Sequence, residues 1–409
     1  MQNFKYIGKK LFVEKSSVKN IAKKNQTPFY LYSGNQIKEN YINFATNFKA
    51  VSPLICFATK ANTNLKILNM LAKLGSGADV VSGGELLKAI KAGIKPNKIV
   101  FSGVGKTEQE LKMAISKKIL LINIESESEA ILIDKIAKKM SKKVSVGFRL
   151  NPNVDAKTHK KISTGKAENK FGLSIKNFMN FYKKTDQFKN LSVDALSVHI
   201  GSQILSDVPY KKTLKILDKL ITKLKIKLKY VDLGGGFGIS YKKEDRLINL
   251  KSYAKLVAEF KKKINCKIIF EPGRSLIGNT GILISKIQYI KKGQNKKFVI
   301  IDAGMNDFMR TALYDAVHDI IPISKKNKKE NIAVEFVGPI CETSCKFVKY
   351  NKYQKVSEDE LVAITNVGAY GSSLSSNYNT KPLIAEIIVN KNKFKIIKKK
   401  QDLYKLINS

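Results

Sequence analysis

Residues 53–103 read PLICFATKANTNLKILNMLAKLGSGADVVSGGELLKAIKAGIKPNKIVFSG. PLICFATKAN, GADVVS and KIVFSG are short β-rich runs, and the segments between them have helical periodicity. NLKILNMLAKLG is amphipathic, and GELLKAIKAG ends on a glycine suited to a helix C-cap. The alternation continues toward the C-terminus. TEQELKMAISKK, with Thr107 and Glu110 at capping-box spacing, leads to LLINIES and then SEAILIDKIAKKM. KVSVGFRLNP is followed, after a loop, by SIKNFMNFYKKTD, and LSVDALSVHIGSQ by a long helix starting near Pro209. YVDLGGGFG precedes KSYAKLVAEFKKKI, and KIIFEPGRS closes the series as the eighth strand. Eight strands with seven intervening helices over about 230 residues match a (β/α)₈ barrel, typically ~250 residues long. An open doubly wound sheet is the competing α/β architecture. Its glycine fingerprint would follow the first strand, whereas the glycines near residue 234 follow the seventh.

Beyond Ser275 the pattern changes. GILISKIQYI, KKFVIIDAG, IAVEFVGPI, ELVAITNVGAY and IAEIIVNKNKFKII are strand-like and separated by Gly, Asn and Lys turns. YIGKKLFVE and TPFYLYS, ahead of the first barrel strand, are strand-like too and can pair with that later sheet. The expectation is α/β plus all-β: a (β/α)₈ TIM barrel over residues 35–277, and a β-sandwich or barrel domain from residues 278–409 completed by residues 1–34.

A chain of 409 residues exceeds the usual single-core limit, and 43% hydrophobic residues suffice for substantial cores. No apolar run approaches the roughly 18 residues that span a bilayer, and MQNFKYIGKKLFVEK lacks the apolar region of a signal peptide. Cys56, Cys266, Cys341 and Cys345 do not make a disulfide scaffold in a chain this long. The expected location is the cytoplasm, with no membrane partner. The net charge of +42 would ordinarily suggest nucleic acid. Here the lysines are spread along outer helical faces, and no basic segment is interleaved with regularly spaced aromatics, so a nucleic-acid partner is not expected. Arginine is rare: Arg149, Arg246, Arg274 and Arg310. A surviving arginine marks a place where a planar, bidentate cation is hard to replace, and Arg149, Arg274 and Arg310 fall in motif-like segments. So do the three histidines, His159, His199 and His318.

Active sites of such barrels lie at the carboxyl ends of the strands. Lys60 closes the first strand, His199 the sixth, Gly234, Gly235 and Gly236 the seventh, and Glu271-Pro272-Gly273-Arg274 the eighth. An amine in a partly apolar mouth is made nucleophilic toward an aldehyde by desolvation, although an ordinary solvated lysine is the plainer reading of Lys60. The glycine run supplies amides free of side chains that can approach a phosphate, to which Ser202 adds a hydroxyl. Glu271 is placed to pair with a protonated ring nitrogen, and Arg274 to fork a carboxylate or phosphate. His199 can stack on a planar cofactor; a core histidine satisfied by the backbone is its bland alternative. Cys341 in GPICETSC sits beside glycine and proline on a loop, where a thiol can give a proton. Cys341 and Cys345 have no second Cys/His pair at zinc-like spacing, so no metal is expected.

FATKAN, FRLNPNVDAKTHKKISTGKAENKFG, HIGSQI, DLGGGFG, EPGRSL, NDFMRTALYDAVHDI, GPICET and GAYG occur in this order along the chain. Together they resemble the fold-type III pyridoxal-phosphate-dependent decarboxylases, in particular those acting on diaminopimelate, almost end to end. The resemblance implies an alanine-racemase-like barrel with a C-terminal β-domain, in a homodimer whose active sites lie at the subunit interface. It implies pyridoxal 5'-phosphate as cofactor, with Lys60 its covalent anchor and His199 stacked on its ring. Ser202, Gly234–Gly236, Glu271, Pro272, Gly273 and Arg274 hold the phosphate and pyridinium. Cys341 becomes the proton donor, delivered from the partner subunit. Arg274, Arg310, Tyr314 and Glu342 become substrate contacts, and Tyr370 touches cofactor or substrate. The implied reaction is decarboxylation of meso-2,6-diaminopimelate to L-lysine and CO2. Two positions depart from the family pattern: Thr311 where proline follows the arginine, and Cys345 where an aspartate is usual. Decarboxylases of ornithine, arginine or carboxynorspermidine are the related alternative, and a catalytically idle relative or a nucleic-acid binder the more distant ones.

Overall fold

The computed structural model describes residues 3–156, 161, 164–166 and 168–408. His159, and with it part of the motif that runs from Phe148 to Gly172, lies outside them. The chain forms two compact units: Tyr41–Ser240 with Asp245–Ser275, and Met1–Asn40 with Tyr241–Glu244 and Leu276–Ser409.

The first unit is a closed parallel barrel. Its strands are β1 (Leu54–Ala58), β2 (Gly77–Val80), β3 (Ile99–Phe101), β4 (Leu121–Ile124), β5 (Val144–Asn151), β6 (Leu191–Val198), β7 (Tyr230–Asp232) and β8 (Lys267–Phe270). Neighbours in sequence are neighbours in space, and β8 pairs back onto β1 through Ile269 with Leu54 and Phe270 with Ile55. Every residue of β2, β3 and β4 is buried, because helices cover the outside of a parallel sheet while side chains fill its interior. Cys56, Val100, Leu121, Ala195 and Ile269 pack there as one cluster. The seven helices between the strands follow the expected periodicity. Thr107 and Glu110 form a complete capping box, and Ser82, Ser126 and Asn249 cap three further helices, each cap contributing about 1 kcal/mol.

The second unit is built on a nine-stranded sheet. Gly281–Lys292 is its longest strand and pairs with Lys296–Ile301, Leu361–Ile364 and Phe29–Ser33. Phe29–Ser33 also pairs in parallel with Ala385–Asn390, so the N-terminal segment TPFYLYS does complete the C-terminal sheet. Phe4–Ile7, Lys10–Val13 and Ser16–Ser17 make their own three-stranded sheet, tied to the segment after Ile320–Pro322 by an antiparallel bridge between Lys10 and Ser324. The run IAEIIVNKNKFKII is two strands, turned at Lys391 in the left-handed conformation, φ +58°. Leu11, Val13, Phe29, Leu31, Ile282, Ile284 and Val389 are among the residues of its core. Among the described residues no helix is long and apolar enough to cross a membrane.

Candidate active site

In the barrel unit the strand ends bring together most of the polar residues singled out above. A single 3₁₀ turn, Thr59–Ala61, follows β1 and carries Lys60. Its Nζ lies 3.0 Å from Asp79 Oδ2 at the end of β2, and 36% of its side chain stays exposed. A solvent-reachable amine held by a buried acid is available to react, unlike an amine clamped on all sides. Lys106 is the contrast: its ammonium is buried and donates to the Gly103 and Asn123 carbonyls and to Glu129.

Behind Lys60 lie three buried carboxyl groups, Asp79 at 1%, Asp232 at 0% and Glu271 at 4% exposure. Burial pushes the Glu271 carboxyl well above the usual range, and the neighbouring Asp232 and Asp79 push it further. Asp232 is itself raised by burial, to about 6, against the opposing hydrogen bonds from Glu271 and from the Gly234 amide. The hydrogen bond between the two carboxyls raises Glu271 and lowers Asp232, which favours the shared proton on Glu271. Asn123 Nδ2 and Ser197 Oγ each lie 3.3 Å from Asp232 Oδ2, and Ser102 Oγ lies 3.5 Å from Glu271 Oε1. A cationic ring nitrogen placed against Glu271 would release that proton and convert a costly buried acid into a charge-assisted partner.

The glycine run is required by shape. Gly234 and Gly236 have φ of +64° and +89°, and a Cβ on Gly235 would lie 2.0 Å from the Glu271 carbonyl oxygen. The amides are used differently from the sequence expectation. Gly234 N–H donates to Asp232 Oδ1 at 2.9 Å, and Gly235 N–H to His199 Nδ1 at 3.1 Å. Two of the three amides thus serve the protein's own acceptors. Arg274 is buried and donates from Nη2 to Ser202 Oγ at 2.9 Å, so a guanidinium and a hydroxyl stand together as anion donors. Gly273 packs so tightly that a Cβ would sit 3.1 Å from those of Ala58 and Ala61.

The Gly235 bond fixes the His199 tautomer, with the proton on Nε2. Burial, then the Lys60 and Arg149 charges, hold this ring well below its usual pKa and keep it neutral. Arg149 itself is a buried partner of Glu125, Nη1 to Oε1 2.8 Å, lying over the Phe171 ring. Asp79, Asp232 and Asn123 were not singled out from sequence. The first two close strands, which is the signal that marked Lys60 and His199.

In the β-unit, Arg310 opens the helix Arg310–Tyr314 and is buried, with Tyr314 half-buried. Cys341 is exposed on a loop, and its amide lies 3.5 Å from Asn379 Oδ1. Its neighbour Glu342 is exposed and held below the usual carboxyl range by the hydroxyls of Tyr378, at 2.7 Å, and Ser344, at 2.8 Å. Cys345, in the place of the family's aspartate, is buried; its Sγ accepts the Met305 amide at 3.3 Å, and burial raises its pKa. It turns into the unit and adds no anion. Tyr370 takes φ +55°, rare for a tyrosine. Among the described residues no cluster of His, Cys, Asp or Glu could hold a metal ion.

The barrel residues fit pyridoxal phosphate: an accessible amine for its aldehyde, a buried acid for its ring nitrogen, a neutral imidazole, and a cation with a hydroxyl for its phosphate. Comparisons with known proteins agree. The pyridoxal binding domain of the pyridoxal-dependent decarboxylases matches residues 34–278. The diaminopimelate decarboxylase of Aquifex aeolicus is 42% identical over 395 residues, 96% of this chain and 93% of that protein. The crystal structure of diaminopimelate decarboxylase from Helicobacter pylori complexed with L-lysine superposes with a TM-score of 0.90 at 42% identity, covering 95% of this chain and 98% of that one. The crystal structure of diaminopimelate decarboxylase from m. jannaschi superposes with a TM-score of 0.94 at 38% identity, covering 100% of this chain and 97% of that one.

Proposed function

This chain belongs to the diaminopimelate decarboxylases, a family of pyridoxal-dependent enzymes, and from that premise we propose that it converts meso-2,6-diaminopimelate to L-lysine and CO2, the reaction that ends lysine biosynthesis. The observation that carries the reading is the constellation at the barrel's strand ends, Lys60 on Asp79 beside the buried Asp232–Glu271 pair.

When bound, pyridoxal 5'-phosphate supplies an electrophilic carbonyl and a protonated ring that takes up the electron pair left by the departing carboxylate. Lys60 is the amine that anchors it, steadied by Asp79. Glu271 would meet the ring nitrogen, and neutral His199 would offer its face to the ring without adding charge. Ser202, Gly234, Gly235, Gly236, Pro272, Gly273 and Arg274 receive the phosphate end, where bare glycines permit close approach. Arg274, Arg310, Tyr314, Glu342 and Tyr370 recognise the substrate. Its distal end carries both a carboxylate and an ammonium, which calls for a guanidinium fork and an anion together; ornithine or lysine bound as a substrate, with its only carboxylate at the reacting end, has just an ammonium there. Cys341, from a second copy of the chain in a homodimer, delivers the proton that replaces the lost carboxylate. Its exposure on a loop supports that delivery. Four free thiols suit the reducing cytoplasm, and the dispersed lysines leave neither nucleic acid nor membrane as a partner.

The test is CO2 release from meso-diaminopimelate with and without added pyridoxal phosphate. Release that depends on the cofactor and vanishes in Lys60→Ala is expected. Strong preference for ornithine or arginine, or full turnover in Lys60→Ala, would overturn the reading.

A further inference from the structure

Arg310 is 6% exposed, and the group that takes its Nε proton is a histidine. Nε donates to His318 Nε2 at 3.1 Å. The other ring nitrogen, Nδ1, lies 2.8 Å from the Thr365 carbonyl oxygen. A carbonyl only accepts and a guanidinium only donates, so both ends demand the same tautomer, with the proton on Nδ1 and the lone pair on Nε2. His318 is 1% exposed and wedged between Phe308, 4.6 Å away at 90°, and Tyr241, 4.9 Å away at 70°. Tyr241 also lies 5.3 Å from the guanidinium carbon, and Tyr314 6.0 Å. Thr365 is anchored in turn, its amide donating to the Asp319 carbonyl at 2.9 Å.

We propose that His318 is a positioning residue for substrate recognition: it holds the plane of the Arg310 guanidinium so that the Nη edge meets the distal carboxylate of the substrate. This rests on the reading of Arg310 as a substrate contact given above. Nε–H lies in the guanidinium plane, so a bond there sets the plane's orientation, and with it the direction in which the Nη edge can meet a carboxylate. The acceptor's neutrality matters equally. An imidazole lone pair takes the Nε proton without cancelling the cation's charge, whereas a carboxylate in that place would compete with the ligand. The consequence is specificity for amino acids bearing a second carboxylate.

His318→Asn and His318→Gln separate the two ring nitrogens. The asparagine amide can still donate to Thr365 but offers no acceptor that reaches Arg310; the longer glutamine restores one. With holoenzyme, His318→Asn is expected to raise KM for meso-diaminopimelate about 10-fold or more, with a smaller loss in kcat. L-Lysine, which keeps the distal carboxylate, should bind more weakly by a similar factor in calorimetry, and His318→Gln should recover most of both. Unchanged KM and lysine affinity in His318→Asn would overturn the proposal. So would parallel loss of kcat and thermal stability that glutamine does not repair, the mark of a purely structural role. Should wild-type protein leave diaminopimelate intact, the activity falls, and the lysine-binding comparison still decides the role of His318.

Discussion

The barrel's strand ends and the Cys341 loop handle charge in opposite ways. Asp79, Asp232 and Glu271 are buried, and for the latter two desolvation is the largest influence, pushing protonation upward. Glu342 is exposed and held below its usual range by two hydroxyls, so it remains charged. In the barrel, charge state depends on what else enters the low-dielectric space; on the loop, it depends on local hydrogen bonds. The barrel acids are therefore suited to a cofactor that brings its own cation. Groups on the loop are suited to donating a proton or meeting a polar substrate without disturbing the fold.

The sharpest way to break that contrast is Cys341→Ala. An exposed thiol acting as general acid should be worth about 10²–10⁴ in kcat, with little change in melting temperature. A large drop in stability with activity intact would place the thiol in the packing instead. Glu271→Gln should cost about 10²–10³ in kcat, the scale for removing one preorganised charged partner. It should also leave the cofactor-free protein at pH 8 no less stable than wild type, since it removes a buried acid. The smallest effect concerns pH. A carboxyl whose folded pKa exceeds its unfolded value stabilises below the unfolded value, and the contribution disappears as pH rises through the folded one. For Asp232, raised from 3.8 to about 6, the cofactor-free protein should lose melting temperature between pH 4 and pH 6 and somewhat above, by a few degrees. Asp232→Asn should flatten that slope; an equal slope in both proteins would show that the pair does not share its proton.

Much of the architecture was legible because burial leaves a periodic mark. Parallel strands covered on both faces read as continuous apolar runs, and GADV and LINI are buried throughout. Less of the second unit was visible. Ile320–Pro322 and Lys346–Tyr350 are short, contain proline or lysine, and carry no clear alternation. The hairpin at Lys391 was hidden because its left-handed turn residue is a lysine, not the glycine or asparagine such a turn favours. At the candidate site, residue type and strand-end position picked out Lys60, His199, Glu271 and Arg274. The same logic passed over Asp79 and Asp232, which are acids of ordinary appearance until their burial is known.

The amino-acid order alone was enough to specify the alternation of strands and helices, the glycines after β7 and the chemical types at the strand ends, since each is a local property of the chain. Which groups carry protons was decided only by folding. Asp232 and Glu271 come from the ends of two different strands, and the upward shift of both carboxyls depends on their mutual distance and on exclusion of water. The tautomers of His199 and His318 likewise follow from an amide and a carbonyl far away in the chain, brought within hydrogen-bonding distance by packing.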